Sequence, residues 1–377
     1  MNTPASSPLL LRWTRFPSDS HGTGPEKRSA QIRALCLHAG CTVADMRPPA
    51  AVSRGRTWTG GLAMRARFGP HASVDHAGAG LLGYRAAFYR DALASHQGAR
   101  VLLWETTYDT LLPALAREAG YKIIALPHNL ESLVSDQVFA DASYDPFADL
   151  SGEVKRLALA DAVFTISKEE RWLLEARGLS PYYLPYFPDA TFAEECLRIR
   201  AKREAAADAR GCVQGPLLLV GSAFNPATAR GMKEQLRRLK KSSLPKNGIV
   251  VVGPKSDVVL ADEQAPGIQI LGGVSRARLV ELQETCSALL IHTYGGAGAV
   301  TRIPEALLSG LPIIANPNAA RDQHGTPGMH VYETPDEFIQ LAQSALPVPP
   351  TPARAAQAEA RFEAELHRLV DQLPAHA

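Results

Sequence analysis

A chain of 377 residues, 46% hydrophobic and 21% charged, can fill the cores of two ordinary domains and is neither a disordered nor a fibrous polypeptide. Its net charge of +2 conceals an uneven distribution, since Lys27 to Arg100 carries eleven Lys and Arg against three acids, a local surplus of +8. Cys36, Cys41, Cys196, Cys212 and Cys286 are odd in number and lack CxxC spacing, as expected of reduced cytoplasmic thiols; Leu9–Leu11 is too short for a signal-peptide core, and no run approaches the ~20 apolar residues of a membrane span.

Leu9–Thr14 reads as the first strand. A polar, glycine-containing loop from Phe16 to Arg28 follows, then a helix through Ala39 in which Ile32, Leu35 and Cys36 repeat at helical spacing. A long loop between first strand and first helix lies at the carboxyl end of a parallel sheet, where α/β proteins bind ligands. It offers Asp19 and His21 as titratable groups. Either could serve acid–base chemistry, or the loop could be plain turn chemistry, with Asp19 capping and the glycines turning. Residues 47–75 are the least foldable part of this half. There Arg54, Arg56, Arg65 and Arg67 interleave with Trp58, Leu62, Met64 and Phe68. The pattern suits peripheral contact with an anionic membrane or a lipid-linked, phosphate-bearing acceptor, and equally a solvated loop. It carries no RNA- or DNA-binding motif, so no nucleic-acid partner is expected.

Gly78–Ser95 reads as a helix, Val101–Trp104 as a strand, Tyr108–Ala119 as an amphipathic helix and Lys122–Leu126 as the next strand. That strand runs into Pro127-His128-Asn129, at the end of a parallel strand where polar residues are most informative. His128 is thus a candidate functional residue, or else a hydrogen-bonded loop histidine. Val163–Ile166 is a strand, followed by Ser167 as a helix N-cap with Glu170 completing a capping box, so neither is assigned chemistry. Tyr182–Phe187 is a further strand. A charged helix, Glu194–Ala207, lies within 189–215, where the hinge between domains is expected. The chain then divides into a first domain, 1–188, the hinge region, a second domain, 216–346, and a linker with a terminal helix, 347–377.

Leu217–Val220 is a buried strand, followed by Gly221, Arg230 and Lys233. A glycine at a strand end with two cations nearby suits a phosphate, which arginine grips bidentately while both cations offset charge on a leaving diphosphate. Lys233, with Arg237, Arg238, Lys240 and Lys241, reads as well as the solvated face of a helix. Ile249–Val252 is a strand entering Gly253-Pro254-Lys255, Ile268–Leu271 is another, and Ser275–Cys286 is a helix. Residues 288–316 are the most informative stretch. A strand, Ala288–Ile291, leads into the loop Gly295-Gly296-Ala297-Gly298, a short helix around Ile303–Ser309 with Pro304 early, and a second strand, Leu311–Ala315. Small residues let a backbone approach phosphate, which the amides of Gly296 to Ala299 and Thr301 would meet. Glu305, one turn on, can accept hydrogen bonds from sugar hydroxyls. Diphosphate plus ribose is a nucleotide, so the stretch reads as a nucleotide-sugar site; the alternative is a Rossmann-like turn with no ligand. Arg321 and His324 receive no specific role. Thr334–Ala345 reads as a helix with a Thr334–Glu337 capping box, Pro347–Pro352 as a stiff linker and Ala353–Leu373 as the last helix.

Residues 288–316 resemble the donor-site signature of GT-B-fold glycosyltransferases, in particular glycosyltransferase family 4 (glycosyl transferases group 1). There the pattern reads Glu-x7-Glu, then Ala and a Gly-x-Pro turn. Glu305-Ala306 and Gly310-Leu311-Pro312 match its second half, and Ala297 stands where the family has its first Glu, the carboxylate that contacts the transferred sugar. The resemblance implies an α/β fold of two Rossmann-like domains facing a cleft. The first would hold the acceptor and the second the nucleotide-sugar donor. It implies that Arg230 and Lys233 meet the diphosphate, that Lys255 lies near the base, and that His128 lies beside the sugar being transferred. It also implies that the first loop, with Gly22 and Gly24, faces the cleft and that the terminal helix crosses back onto the first domain. The activity implied is hexosyl transfer from a UDP- or GDP-sugar to a glycan or lipid-linked acceptor, with retention of anomeric configuration and no metal or other cofactor. The setting implied is bacterial surface polysaccharide or glycoconjugate biosynthesis, in the cytoplasm at the inner face of the membrane. An inverting route would need a base in the cleft, which Asp19 or His21 offers. Two further readings stay open: a nucleotide-sugar 2-epimerase, which the acid-poor loop at 295–304 opposes, and a non-catalytic nucleotide-sugar-binding subunit, which fits Ala297.

Overall fold

The computed structural model describes residues 7–46, 54–68, 79–96, 98–105, 107, 111–134, 146–242, 244–294 and 297–372. The chain divides into two compact units, Met1–Pro185 with Ala355–Ala377, and Tyr186–Arg354.

The first unit contains β1 (Leu9–Trp13), α1 (Gly24–His38), β2 (Thr42–Asp45), α2 (Arg54–Phe68), α3 (Ala79–Ser95), β3 (Val101–Trp104), α4 (Leu112–Glu118), β4 (Lys122–Ala125), α5 (Pro146–Leu157), β5 (Ala162–Thr165), α6 (Lys168–Ala176) and β6 (Tyr182–Tyr183). Its six strands are parallel, in the order β2-β1-β3-β4-β5-β6. The apolar runs do not alternate with polar residues because both faces of the sheet are covered. Leu11, Leu102, Trp104 and Ile123 enter a core with Phe88 and Tyr89 of α3 and Leu115 of α4. Their neighbours Leu10, Val101, Leu103 and Ile124 enter the opposite core with Ile32 and Leu35 of α1. The last helix of the chain closes that second face with Phe362, Leu366 and Leu369, and Phe362 meets Phe164 edge-on at 5.2 Å.

The second unit contains α7 (Ala190–Ala206), β7 (Leu217–Val220), α8 (Pro226–Lys241), β8 (Ile249–Val252), α9 (Ser256–Val259), β9 (Ile268–Ile270), α10 (Arg276–Thr285), β10 (Ala288–Ile291), α11 (Arg302–Leu308), β11 (Ile313–Ala315), α12 (Pro317–Ala320), β12 (Met329–Val331) and α13 (Pro335–Gln343); α14 is the terminal helix, Ala356–Asp371. Its parallel sheet runs β12-β11-β10-β7-β8-β9. Alternate residues again divide between two cores, Leu218, Val250 and Leu289 to one side and Leu217, Val251 and Leu290 to the other. Each sheet therefore reverses its order once, between β1 and β3 in the first unit and between β7 and β10 in the second. The crevice at the carboxyl ends of two such strands is where open α/β sheets take their ligands.

Several expectations are corrected. Residues 47–53 and 69–75 lie outside the described residues, but 54–68 form α2, with Met64 in the core and Trp58 and Leu62, one turn apart, outward at 62% and 58% exposure. The strand expected over Tyr182–Phe187 pairs only at Tyr182 and Tyr183, because Pro185 has no N–H for the ladder. The helix expected over Glu194–Ala207 begins four residues earlier, as α7 capped by Asp189, and the 189–215 stretch around it falls within the second unit. The capping box at Ser167 is half made. Ser167 accepts from the Glu170 amide, but the Glu170 carboxylate accepts instead from the Leu130 amide at 2.7 Å. The Thr334–Glu337 box is complete. Among the described residues no helix is long and apolar enough to cross a membrane.

Candidate functional site

In the second unit, glycines bring the strand ends at the reversal point together. A Cβ on Gly253, whose φ is +145°, would lie 1.8 Å from the Gly221 carbonyl oxygen. One on Gly231 of α8 would lie 2.1 Å from the His292 carbonyl. Only glycine permits these approaches, so the loops after β7, β8 and β10 converge as bare backbone. Arg230 lies over the Tyr294 ring at 4.3 Å, and Lys255, in a left-handed conformation at φ +64°, reaches over Phe224 at 5.9 Å. Lys233 is half-buried on α8 and makes no ion pair among the described residues. Gly298 adopts φ +72°, while Gly296 lies outside the described residues. Thr301 stands at the start of α11 with its hydroxyl making no capping bond.

Glu305 is 7% exposed, and one of its oxygens accepts from the Tyr186 hydroxyl at 3.0 Å. Its charge acts on Arg302 and Arg276, opposing the burial that pulls both guanidinium pKa values down. Arg302 is the residue that the sequence reading missed. It stands in the first turn of α11, donates to the Val220 carbonyl at the end of β7, and lies beside Gly221. Because α11 has only seven residues, its dipole is modest, and the guanidinium is the stronger positive element at the strand ends. Arg321 gains a role as well. It donates to the carbonyls of Gly298 at 2.9 Å and Ala297 at 2.8 Å, so it shapes the loop where the family resemblance places a carboxylate. Beneath that loop the Nδ1 of His292 shares a 2.5 Å hydrogen bond with the Tyr332 hydroxyl, its Nε2 is buried without a partner, and burial with the nearby Arg238 charge lowers its pKa to about 4.

In the first unit the reversal point holds a buried pair. His128, just past β4, presents Nε2 at 3.2 Å to Glu105, the residue that follows β3. Glu105 is 1% exposed and also accepts from Ser29 of α1. Burial alone would raise its pKa, but the hydrogen bond and charge of His128, with Arg12 behind, more than offset it and hold the carboxyl below its usual range. Phe16 stacks on the imidazole at 5.3 Å. Two further buried carboxylates fix the loop that carries His128. Glu153 accepts from the amides of Glu131 and Ser132, both at 3.0 Å, and Glu170 accepts from Leu130. Glu105 had a legible signal, since it follows an entirely apolar strand as His128 closely follows the next. Asp19 and His21 are exposed, and the Asp19 carboxylate accepts from the His21 amide at 2.9 Å, a turn contact. Gly22 abuts Glu26, whose carboxylate caps α1 with Thr23, and Gly24 opens that helix.

No protein-family model and no curated protein sequence matches this chain. Solved structures do. OtsA in its apo form is 12% identical, over 97% of this chain and 95% of that one, with a TM-score of 0.59. Anabaena Alr3699/HepE in complex with UDP and glucose is 12% identical over 97% and 95%, with a TM-score of 0.57. An α,α-trehalose 6-phosphate synthase from Burkholderia multivorans is 14% identical over 96% and 93%, also at 0.57. At these identities the likeness is one of fold. The chain is α/β, two Rossmann-like units with six-stranded parallel sheets, the GT-B fold class.

Proposed function

We propose that the protein is a glycosyltransferase that takes a sugar from a nucleoside-diphosphate sugar, UDP- or GDP-linked, and passes it to a glycan or lipid-linked acceptor. The observation that carries this is the β7–β10 reversal point. There the loops after β7, β8 and β10 approach closely on glycines and α11 begins, and Arg230 and Arg302 supply charge for a diphosphate. Similar solved structures support the reading, since Alr3699/HepE was solved with UDP and glucose and with UDP-glucose. In the reaction the bond from the anomeric carbon to the diphosphate breaks, with its electron pair leaving on the phosphate oxygen. The acceptor hydroxyl forms the new bond and releases its proton. Arg230, Arg302 and Lys233 offset the charge that develops on the leaving diphosphate, without a metal in this reading. In this reading Glu305, which accepts from the Tyr186 hydroxyl, is the carboxylate that meets the ribose hydroxyls.

In the first unit we assign the acceptor and the His128–Glu105 pair, in which the carboxylate holds the imidazole in place. Transfer with retention, a role in surface glycoconjugate assembly and membrane contact through α2 belong to the same proposal. The outward Trp58 and Leu62 support the last of these. Ala297 favours one competing reading, a subunit that binds the nucleotide sugar without turning it over. Titration calorimetry with UDP, GDP and dTDP, followed by an assay of nucleoside diphosphate released from their sugars, separates the two. Release that rises with added acceptor supports transfer; binding without release supports the subunit. No heat with any of the three nucleotides overturns both.

A further inference from the structure

A groove of about 380 Å³ opens in the first unit between the ends of α3 and α4, beside the amino ends of β3 and β4, and its size is within the range of small-molecule sites. Its floor is apolar. Leu93, Leu115 and Tyr121 are almost fully buried there, while Ala94 and Ala119 are exposed and too short to fill the space above them. Arg90 and Arg100 line the groove as well, and no acidic side chain does. Neither guanidinium makes a hydrogen bond or an ion pair among the described residues. Asp91 and Glu118 stand beside the groove on the same helices, exposed and paired with neither arginine. Cations near helix C-termini often cap the last carbonyls. Here other groups satisfy them. The Leu93 carbonyl accepts from the Tyr121 hydroxyl at 2.8 Å, and the Ala92 carbonyl from the Ser95 hydroxyl at 2.9 Å. At the end of α4 the carbonyls of Leu115, Ala116 and Arg117 accept from the amides of Ala119, Tyr121 and Gly120. Both helices thus end without help from the arginines, whose forks face no protein partner.

We infer that this groove binds an anionic amphiphile, with a compact acidic head, carboxylate or phosphate, on a short apolar body. The head lies on the forks of Arg90 and Arg100, which match either group bidentately. The body lies along Leu93, Leu115 and Tyr121. At about 30 Å³ per heavy atom the groove holds roughly a dozen atoms, the size of a ten-carbon chain with its head. A bilayer lipid would direct its tails away from the protein. The apolar surface here lies within the groove, so the occupant is a free molecule. The site is separate from the crevice of the first unit, which lies at the carboxyl ends of the strands, where Glu105 and His128 meet. The inference therefore stands independently of the transferase reading.

Calorimetry on the full chain with decanoate, decyl phosphate, decanol and decyltrimethylammonium, each below its micelle concentration, tests the assignment, with acetate as a head that lacks a body. One or both acids should bind, and the tighter of the two names the head. Decanol, acetate and the ammonium should bind at least tenfold more weakly, and added salt should weaken the acids. The double variant Arg90→Gln, Arg100→Gln should lower affinity for the acids at least tenfold. Ala94→Trp, which fills the groove from an exposed position, should abolish binding. Both variants should keep the melting temperature of the parent, since none of the three positions is buried. Equal binding of decanol and decanoate, absence of heat with both acids, or affinities unmoved by both variants would overturn the inference. So would binding to phosphatidylglycerol vesicles without binding to either free acid, which would make the patch a membrane contact.

Discussion

Glu105 and His292 show how far burial alone can mislead at a single residue. Both are nearly dry, yet one is held charged and the other neutral. The Glu105 carboxyl titrates lower in the folded chain than its unfolded value of about 4.3. Its contribution to stability is therefore present above that value and is lost as pH falls through the folded one. Thermal melts between pH 7 and pH 3 should show Glu105→Gln less stable at pH 7 and less sensitive to acid than the parent. A parallel shift of both curves would deny the ion pair. His292 has the opposite charge logic with the same sign. Its imidazole titrates at about 4 when folded and at 6.5 when unfolded, so the unfolded chain takes up the proton first. Stability is full above about pH 6.5 and declines toward pH 4, by up to about 3 kcal/mol. Replacing His292 with Asn should flatten the melting profile across that window. An unchanged pH slope would show that the imidazole is not what titrates.

Elements are positioned by groups from distant parts of the chain. Arg200 and Arg203, both on α7, donate to carbonyls at helix C-termini. Arg200 reaches Leu308 at 2.9 Å, and Arg203 reaches Gly310 at 2.8 Å and Gln283 and Cys286 at 2.7 Å. These carbonyls have no partner within their own helices, and the negative ends of α10 and α11 favour a cation there. α7 thus anchors α11, the helix that carries Arg302 and Glu305. Arg203→Met should cost about 2–4 kcal/mol in the unfolding of the second unit, because several buried acceptors are orphaned at once. Denaturant melts followed by circular dichroism measure it; a loss under 1 kcal/mol would mean that water replaces the guanidinium.

For the whole molecule, the main question is which parts of the chain fold together. The last helix completes the first unit, although it is separated from that unit by the entire second one. Phe362 and Leu366 are fully buried among Ile32, Leu35 and Phe164. Phe362→Ala and Leu366→Ala should each cost about 3 kcal/mol, by lost transfer energy and the cavity left behind. The loss should appear in the unfolding of the first unit, read by exchange protection of β1 and β3 amides, with those of β7 and β8 unchanged. Equal loss of protection in both units would mean that they unfold as one.

Reading the sequence alone located most strands because a strand covered on both faces is an unbroken apolar run; Val101–Trp104, Leu217–Val220, Ile249–Val252 and Ala288–Ile291 lie where they were expected. It missed β2 and β12, which are three or four residues long at sheet edges and only partly buried, so hydrophobicity does not mark them. The short helix that begins just before Glu305, between two apolar strands, was legible from residue type and spacing. The contact of Arg302 with the end of β7 and that of Glu105 with His128 were not, since each joins residues from different strands and loops. Local composition determines which segments are buried. Only parallel pairing, which brings the ends of non-consecutive strands to one edge, determines which polar side chains meet there, and no spacing along the chain encodes that distance.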